Sequence, residues 1–206
     1  MTKLQNDFYN RKVTDVAAAL IGKIFVRIEN GFRFSGKIVE VEAYEGLTDE
    51  ASHSYSGMTK RNKVMFGPPG VLYVYFTYGM HCCANVVTGP EGQGDAVLIR
   101  AVEPVDGTTR MLANRQASFK SSKKISPKDI ANGPAKLCSA FSIGLHDNGT
   151  ALSGNYIFIE EAPPVQQSMI MTSRRIGIKK AAELPWRFFL KNNSYISNCK
   201  KDIQTF

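Results

Sequence analysis

The chain has 206 residues, 43% of them hydrophobic, which is enough to bury the core of one globular domain. No run of about 18 apolar residues is present and the N-terminus lacks the apolar core of a secretory signal, so we expect neither a membrane span nor secretion. The net charge of +8 favours a polyanionic partner, such as nucleic acid or a membrane surface. We expect a single domain over residues 1–206.

The first part of the chain predicts a short helix and a β-hairpin. Asp15 can cap a helix that ends at Gly22. A strand over residues 23–28 and a longer one over 32–44 flank Asn30-Gly31, a strong hairpin-turn signal. The end of the longer strand alternates, so Glu40, Glu42 and Tyr44 share one face and the two carboxylates are close neighbours.

The central stretch, residues 61–85, predicts a second hairpin after a loop over 46–57. The run over 71–77 is rich in β-branched and aromatic residues, and a further extended run reaches Val87. Tyr78 falls at the turn between the two runs, beside a glycine, which is an unusual place for a core residue. We therefore hypothesise a hairpin that carries an aromatic tip into a partner.

The second half of the chain alternates short predicted elements. An apolar strand over 96–102 is expected to end at Glu103-Pro104. Helices are predicted over 108–116 and 135–141, separated by a basic surface loop over 118–128. Further short pieces are predicted at the end of the chain, namely a strand over 155–160 and extended or helical segments over 174–178 and 186–190.

Arg100 interrupts an otherwise apolar strand and therefore needs a partner. Removing one partner of a buried ion pair costs about 3–5 kcal/mol, so Arg100 predicts a buried carboxylate, with Glu40 and Glu42 as the candidates. Two interpretations remain open. The pair is either a structural feature, in the core or on a solvated face, or a carboxylate held ionised to activate water.

The tyrosines around this carboxylate region allow two interpretations as well. They form either core and cross-strand pairs or a stacking pocket for a flat ligand. Neither the histidines nor the cysteines show metal-ligand spacing, and no CxxC is present, so we predict no metal and reduced, buried thiols. The residues considered are Tyr44, Tyr73, Tyr75, Tyr78, His53, His81, His146, Cys82, Cys83, Cys138 and Cys199.

Six ordered blocks of the sequence resemble the alkyladenine (3-methyladenine/alkylpurine) DNA glycosylase family, in its bacterial type. They are VEVEAYEG (39–46), DEASH (49–53), RNKVMFGPPGVLYVYFTYGMHCCAN (61–85), DAVLIRAVEP (95–104), NGPAKLC (132–138) and RRIGI (174–178). The resemblance covers nearly the whole chain. It implies a mixed α/β (α+β) fold, a single compact domain around a curved, largely antiparallel β-sheet with a protruding β-hairpin.

The resemblance also implies catalytic roles. Glu42 matches the general base that activates water for attack on the sugar C1′ atom. Arg100 matches the arginine that helps to hold this water, and Ile176 matches a position whose backbone carbonyl contacts it. No lysine stands out as a Schiff-base nucleophile, so we expect a monofunctional enzyme that leaves an abasic site and needs no cofactor.

Further positions match the family's DNA-binding residues. Tyr44 and Tyr75 match the walls of the base pocket, His53 its third side and Asn85 its floor. Tyr78 matches the residue that enters the minor groove and fills the gap left by the flipped nucleotide. His81, Cys82 and Cys83 depart from the larger aromatic residues of the mammalian members.

The implied function is base excision repair of damaged purines: 3-methyladenine, 7-methylguanine, hypoxanthine and ethenoadenine. We expect a monomer that acts on double-stranded DNA in the bacterial cytoplasm, at the nucleoid, without membrane contact. The candidate contacts to the DNA backbone are Lys60, Arg61, Lys63, Lys123 and Lys124. Two alternatives are a non-catalytic minor-groove binder that senses damage or shapes DNA, and a carbohydrate glycosidase that uses Glu40 and Glu42.

Overall fold

The protein is built on a curved antiparallel β-sheet with helices packed against it. A computed structural model describes residues 2–77, 79, 81–118 and 124–197. The strands of the described residues are β1 (Ile24–Glu29), β2 (Phe32–Tyr44), β3 (Leu72–Thr77), β4 (His81–Thr88), β5 (Asp95–Asp106), β6 (Ile157–Glu160), β7 (Ile170–Ser173) and β8 (Arg187–Leu190). The α-helices are α1 (Asn6–Tyr9), α2 (Val13–Leu20), α3 (Thr108–Ala117) and α4 (Pro134–Ala140). The mixed α/β fold predicted from the sequence is confirmed.

The sheet follows the order β3-β4-β5-β2-β1-β6, and β8 adds to β2 while β7 adds to β8. Every pair of strands in this order is antiparallel. Asn30 and Gly31 connect β1 to β2 with φ values of 50° and 76°, the left-handed conformations that a tight two-residue hairpin requires. The first predicted hairpin is therefore present as the sequence indicates.

Strand β2 changes its neighbour halfway along its length. Residues 32–37 pair with β1, whereas residues 40–42 pair with β8. The change coincides with register irregularities against β5 between Ile38 and Val41. Such bulges bend a strand and re-aim its side chains, and both faces of β2 are buried at this point.

Apolar side chains from α2, α4 and the sheet form the main core. Alternation of β2 sends its apolar positions into this core and leaves Glu40 and Glu42 on the other face. Representative core residues are Val13, Val16, Leu20, Ile38, Val41, Ala43, Val86, Ile99, Leu137 and Phe141. The helices thus support the strands that carry the carboxylates.

Some boundaries predicted from the sequence are wrong. Strand β5 does not end at Glu103-Pro104 but continues to Asp106, because Pro104 lies beside a register irregularity where no ladder N–H is needed. Helix α2 begins at Val13, so Asp15 lies in its first turn and does not cap it. The negative charge of Asp15 there interacts favourably with the helix dipole.

Other segments differ from their predictions or lie outside the described residues. Residues 174–178 form neither a strand nor a helix. Strand β7 was not predicted; it has only four residues, and its one strand partner is β8, which comes later in the chain. Five residues of the predicted basic loop, 119–123, lie outside the described part of the chain. Within the described residues, no helix has the length and apolar character to cross a bilayer.

Replacement of Gly46 by alanine should destabilise the fold. A Cβ at Gly46 would lie 1.8 Å from the backbone oxygen of Gln93, and the Gly46 amide is held 2.6 Å from Asp95 Oδ1. Backbone must therefore move, and we expect the free energy of unfolding to fall by about 1–3 kcal/mol in urea titrations. Gly133→Ala is the control, because its Cβ would meet nothing closer than 3.9 Å. Equal stabilities of the two variants would contradict the prediction.

Candidate active site

Arg100 on β5 lies between two carboxylates of β2. Its Nε is 3.0 Å from Glu40 Oε1 and its Nη1 is 3.2 Å from Glu42 Oε2, and both glutamates are 0% exposed. The antiparallel register, with Glu42 opposite Leu98 and Glu40 opposite Ala101, brings the three charges together. The prediction that Arg100 pairs with a buried carboxylate is confirmed.

Glu42 keeps one acceptor position open. Its Oε2 accepts from Tyr44 Oη at 2.8 Å and from Arg100, and its Oε1 accepts from the Ile176 amide at 2.7 Å. A carboxylate has about four lone-pair positions, so three are occupied by protein donors and one remains on Oε1. The open position can accept a hydrogen bond from a water molecule.

Glu40, in contrast, is saturated by protein donors. Arg100 Nε and Arg187 Nε donate to Oε1, the second at 2.7 Å, and the amide and hydroxyl of Ser197 donate to the same carboxylate at 2.5 and 2.6 Å. Burial opposes its ionisation, but the two arginines and Ser197 outweigh burial and hold the pKa of Glu40 below its ordinary value. This saturation argues against a carbohydrate glycosidase that would use Glu40 as a second catalytic carboxylate.

A cavity of about 100 Å³ lies next to Tyr44, whose hydroxyl is bonded to Glu42. The structure brings four of the predicted pocket residues to its wall: Tyr44, His53, Tyr75 and Asn85. The remaining lining residues are Ala51, Met65, Tyr73, Ala96 and Ile178. The cavity is therefore walled mainly by aromatic rings and small apolar side chains, as a flat ligand would require.

The aromatic wall is itself a packed unit. Tyr73 and Tyr75 stack with ring centroids 5.6 Å apart, and His53 meets Tyr75 edge-on at 4.4 Å. His53 Nδ1 lies 3.2 Å from the Tyr73 hydroxyl. Desolvation by the neighbouring rings, together with the positive charge of Arg61, lowers the pKa of His53 below its ordinary value. Burial has the opposite effect on Tyr75: it raises the pKa of the phenol, which stays protonated.

Asn85 and Cys83 support the wall from β4. Asn85 is buried and its Nδ2 donates to the Tyr73 carbonyl at 3.2 Å, which anchors the amide beside the cavity. Cys83 pairs with Tyr75 across the hairpin, and the two side chains are hydrogen-bonded. Cys83, where the sequence departs from the mammalian pattern, thus contacts the pocket residue Tyr75.

Ile176 reaches the site through its backbone. The contact that the structure records is its amide N–H donating to Glu42, whereas the family resemblance implied a role for its carbonyl. Two residues further on, Ile178 lines the cavity and was missed in the sequence because RRIGI carries no catalytic side chain.

Arg175 is the main site residue that sequence reasoning missed. Its Nη1 donates to the Ala43 carbonyl at 2.9 Å, and its Nη2 donates to Asp49 Oδ1 at 2.9 Å and to the Ala181 carbonyl at 3.1 Å. Its guanidinium carbon also lies over the Tyr44 ring at 4.6 Å. One buried side chain thus joins three segments that carry pocket residues. The available signal was an arginine in RRIGI and an acid in DEASH.

Basic residues lie exposed near the cavity. Lys60, Arg61 and Lys63 are exposed, and Arg61 is held by the Phe76 carbonyl at 3.1 Å with its guanidinium 5.8 Å from the Tyr75 ring centre. Lys124 is also exposed. Tyr78 and Lys123 lie outside the described residues, so their predicted roles stay predictions. No group of three or more His, Cys, Asp or Glu side chains in the described ranges is arranged to hold a metal.

A buried carboxylate that is paired with an arginine and hydrogen-bonded to the wall of an aromatic pocket is typical of an enzyme active site. A sequence profile described as methylpurine-DNA glycosylase matches residues 7–194, and the chain belongs to this family. It is 46% identical over 198 residues to a protein of Chlorobium luteolum, and this alignment covers 96% of this chain and 97% of the relative. It is 48% identical to a protein of Carboxydothermus hydrogenoformans, over 94% of this chain and 98% of the relative. It is 43% identical to a protein of Clostridium acetobutylicum, over 97% of this chain and 100% of the relative. All three relatives carry the provisional name 3-methyladenine DNA glycosylase.

Replacement of Arg175 by lysine should loosen the site. A lysine keeps the charge but lacks the planar fork that reaches Asp49 and Ala43 together. Because hydrogen bonds to charged groups contribute roughly 1.5–3 kcal/mol each, we expect the free energy of unfolding to fall by about 2 kcal/mol or more. Arg174→Lys, at the exposed neighbouring position, is the matched control and should change little. Urea titrations that place both variants at the same stability would rule out the bridging role of Arg175.

Proposed function

We propose that the protein is a monofunctional DNA glycosylase that removes damaged purines from duplex DNA. The observation that carries the proposal is the fully buried Glu42, which keeps one open acceptor position on Oε1 and is hydrogen-bonded to Tyr44, a wall residue of the aromatic cavity. The membership of the methylpurine-DNA glycosylase family and the names of the relatives support the same activity.

The proposed substrate is a purine that has left the base stack. Chemistry on a base inside a duplex requires its extrusion, and extrusion is easier for a damaged base that pairs poorly. We propose that Tyr78 fills the resulting gap, since an inserted side chain offsets part of the unstacking cost of about a few kcal/mol per step. The extruded base would stack between Tyr44 and Tyr75, and a cationic alkylated purine gains further from the electron-rich ring faces.

The proposed chemical step is attack of water on the sugar C1′ atom. Glu42 accepts a hydrogen bond from the water at its open position and takes its proton as the glycosidic bond breaks. Arg100 and the Ile176 amide hold the carboxylate in place, and the negative charge of Glu42 stabilises the positive sugar that develops. Cationic 3-methyladenine and 7-methylguanine are good leaving groups, whereas neutral hypoxanthine and ethenoadenine need protonation, which we assign to N7.

The proposed enzyme leaves the strand intact. Strand cleavage by a glycosylase needs an amine that attacks the sugar, and the cavity lining contains no lysine among the described residues. We therefore propose an abasic site as the product. Treatment of the product with alkali should be required for strand cleavage, and cleavage without it would exclude a monofunctional enzyme.

Glu42→Gln should bind lesion-containing DNA but lose excision. Removal of a general base lowers the rate by roughly 10²–10⁴-fold. The measurement is release of hypoxanthine and 3-methyladenine from defined duplexes under single-turnover conditions, with binding followed separately by anisotropy.

The control for this variant is Glu50→Gln, which removes an exposed carboxylate from the neighbouring loop and should keep full activity. Normal excision by Glu42→Gln would refute the general-base role. If the wild-type protein binds lesion-containing DNA but excises no base, the result would instead favour the non-catalytic, damage-sensing DNA binder.

The exposed lysines near the cavity should contribute to the salt dependence of DNA binding. Lys60→Gln and Lys63→Gln should each remove one ion pair with a phosphate, and each should therefore reduce the slope of log affinity against log salt concentration by about 0.9. Lys12→Gln, at an exposed lysine before α2, serves as the comparison. An unchanged slope for the Lys60 and Lys63 variants would remove both from the DNA interface.

A further inference from the structure

We propose that Glu40 and Arg187 are positioning residues that set the charge around Glu42 and thereby the pH range in which Glu42 activates water. This inference rests on the proposed function, in which Glu42 is the general base. It assigns a task to the second carboxylate of VEVEAY, which has no role in the chemical step described above.

The two residues belong to one buried cluster of four charges. Arg100 contacts Glu40 and Glu42, while Arg187 contacts Glu40 at 2.7 Å through Nε. Side-chain exposure is 0% for both glutamates, 8% for Arg100 and 5% for Arg187. Two negative and two positive groups thus balance within a volume that bulk water barely reaches, where charges interact strongly.

Arg187 is placed beside Glu42 but is not bonded to it. The β2–β8 register sets Arg187 opposite Glu42, yet the guanidinium turns to Glu40 and to Ser173 Oγ, at 3.1 Å. Glu40 therefore draws the second arginine away from the general base. Only one guanidinium among the described residues, that of Arg100, is hydrogen-bonded to Glu42 directly.

The other groups that face Glu42 are neutral or already balanced. Burial raises the pKa values of the tyrosines and of the thiol, so these groups carry no charge below neutral pH. The charge of Arg175 is balanced by Asp49. The titratable and charged groups around Glu42 are Glu40, Tyr44, Tyr75, Cys83, Arg100, Arg175 and Arg187. Removal of either Glu40 or Arg187 alone therefore changes the net charge of the cluster without breaking a direct contact to Glu42.

The sign of each effect follows from Coulomb's law. Loss of the negative charge of Glu40 favours the ionised form of Glu42, so the acid limb of the pH–rate profile should move to lower pH and the maximal rate should fall as the base weakens. Loss of the positive charge of Arg187 disfavours the ionised form, so the acid limb should move to higher pH.

The experiment is a pH profile of single-turnover excision from a duplex that contains 7-methylguanine. This lesion is already cationic, so its departure needs no protonation and the acid limb reports the base alone. The variants are Glu40→Gln, Arg187→Met, Arg187→Lys and the double variant Glu40→Gln/Arg187→Met. The rate of release without enzyme is subtracted at each pH.

We expect the limbs of Glu40→Gln and Arg187→Met to move in opposite directions by on the order of one pH unit. Arg187→Lys keeps the charge, and its limb should stay at the wild-type position. The double variant removes one charge of each sign, so its limb should return close to that of the wild type. A merely structural role would instead make the double variant the most impaired and leave the limb unmoved.

Two outcomes are distinguishable. If the wild type excises 7-methylguanine and Glu42→Gln does not, but the limbs of the folded single variants coincide with the wild type, the charge-setting role is wrong and the proposed function stands. If the wild type excises nothing, the proposed function fails first. Circular dichroism and urea titration establish which variants are folded, and Arg187→Met against Arg187→Lys remains decisive if Glu40→Gln does not fold.

Discussion

The sharing of one guanidinium by two buried carboxylates is the interaction on which the rest of the site depends. An unpaired buried charge is strongly destabilising, so Glu40 and Glu42 can be buried only because Arg100 pairs with both of them. The bulged stretch of β2, where β8 replaces β1 as its neighbour, places these charges together on one face of the sheet. The apolar core on the other face leaves the strand little freedom, so the position of the Glu42 carboxylate is fixed by the fold.

The cavity beside this cluster is assembled from segments far apart in the chain. Tyr44 comes from the end of β2, His53 from the loop after it, Tyr75 from the hairpin and Ile178 from a segment without regular structure. Such irregular segments keep a fixed geometry only when side chains tie them down, and Arg175 does so. The stability of the pocket and the placement of Glu42 are thus coupled, because Ile176 is the residue next to Arg175.

Prediction from the sequence succeeded where the chemistry is local or where a buried charge demands a partner. Asn30-Gly31 specifies its own turn, and Arg100 in an apolar strand required a carboxylate. It failed at Pro104, because a register irregularity in β5 itself, opposite Ser35 and Gly36, tolerates a proline that usually ends a strand. The roles of the pocket side chains came from family resemblance, and the structure adds their proximity without testing those roles.

The sequence by itself determined the strand and hairpin pattern, the pairing of Arg100 with a glutamate and the family to which the chain belongs, since these depend on neighbouring residues and ordered motifs. Only the tertiary structure decided that Glu42, and not Glu40, retains an open acceptor position. The donors that distinguish the two carboxylates lie 134 to 157 residues away in the chain, and no local pattern encodes them. They are Ile176, Arg187 and Ser197.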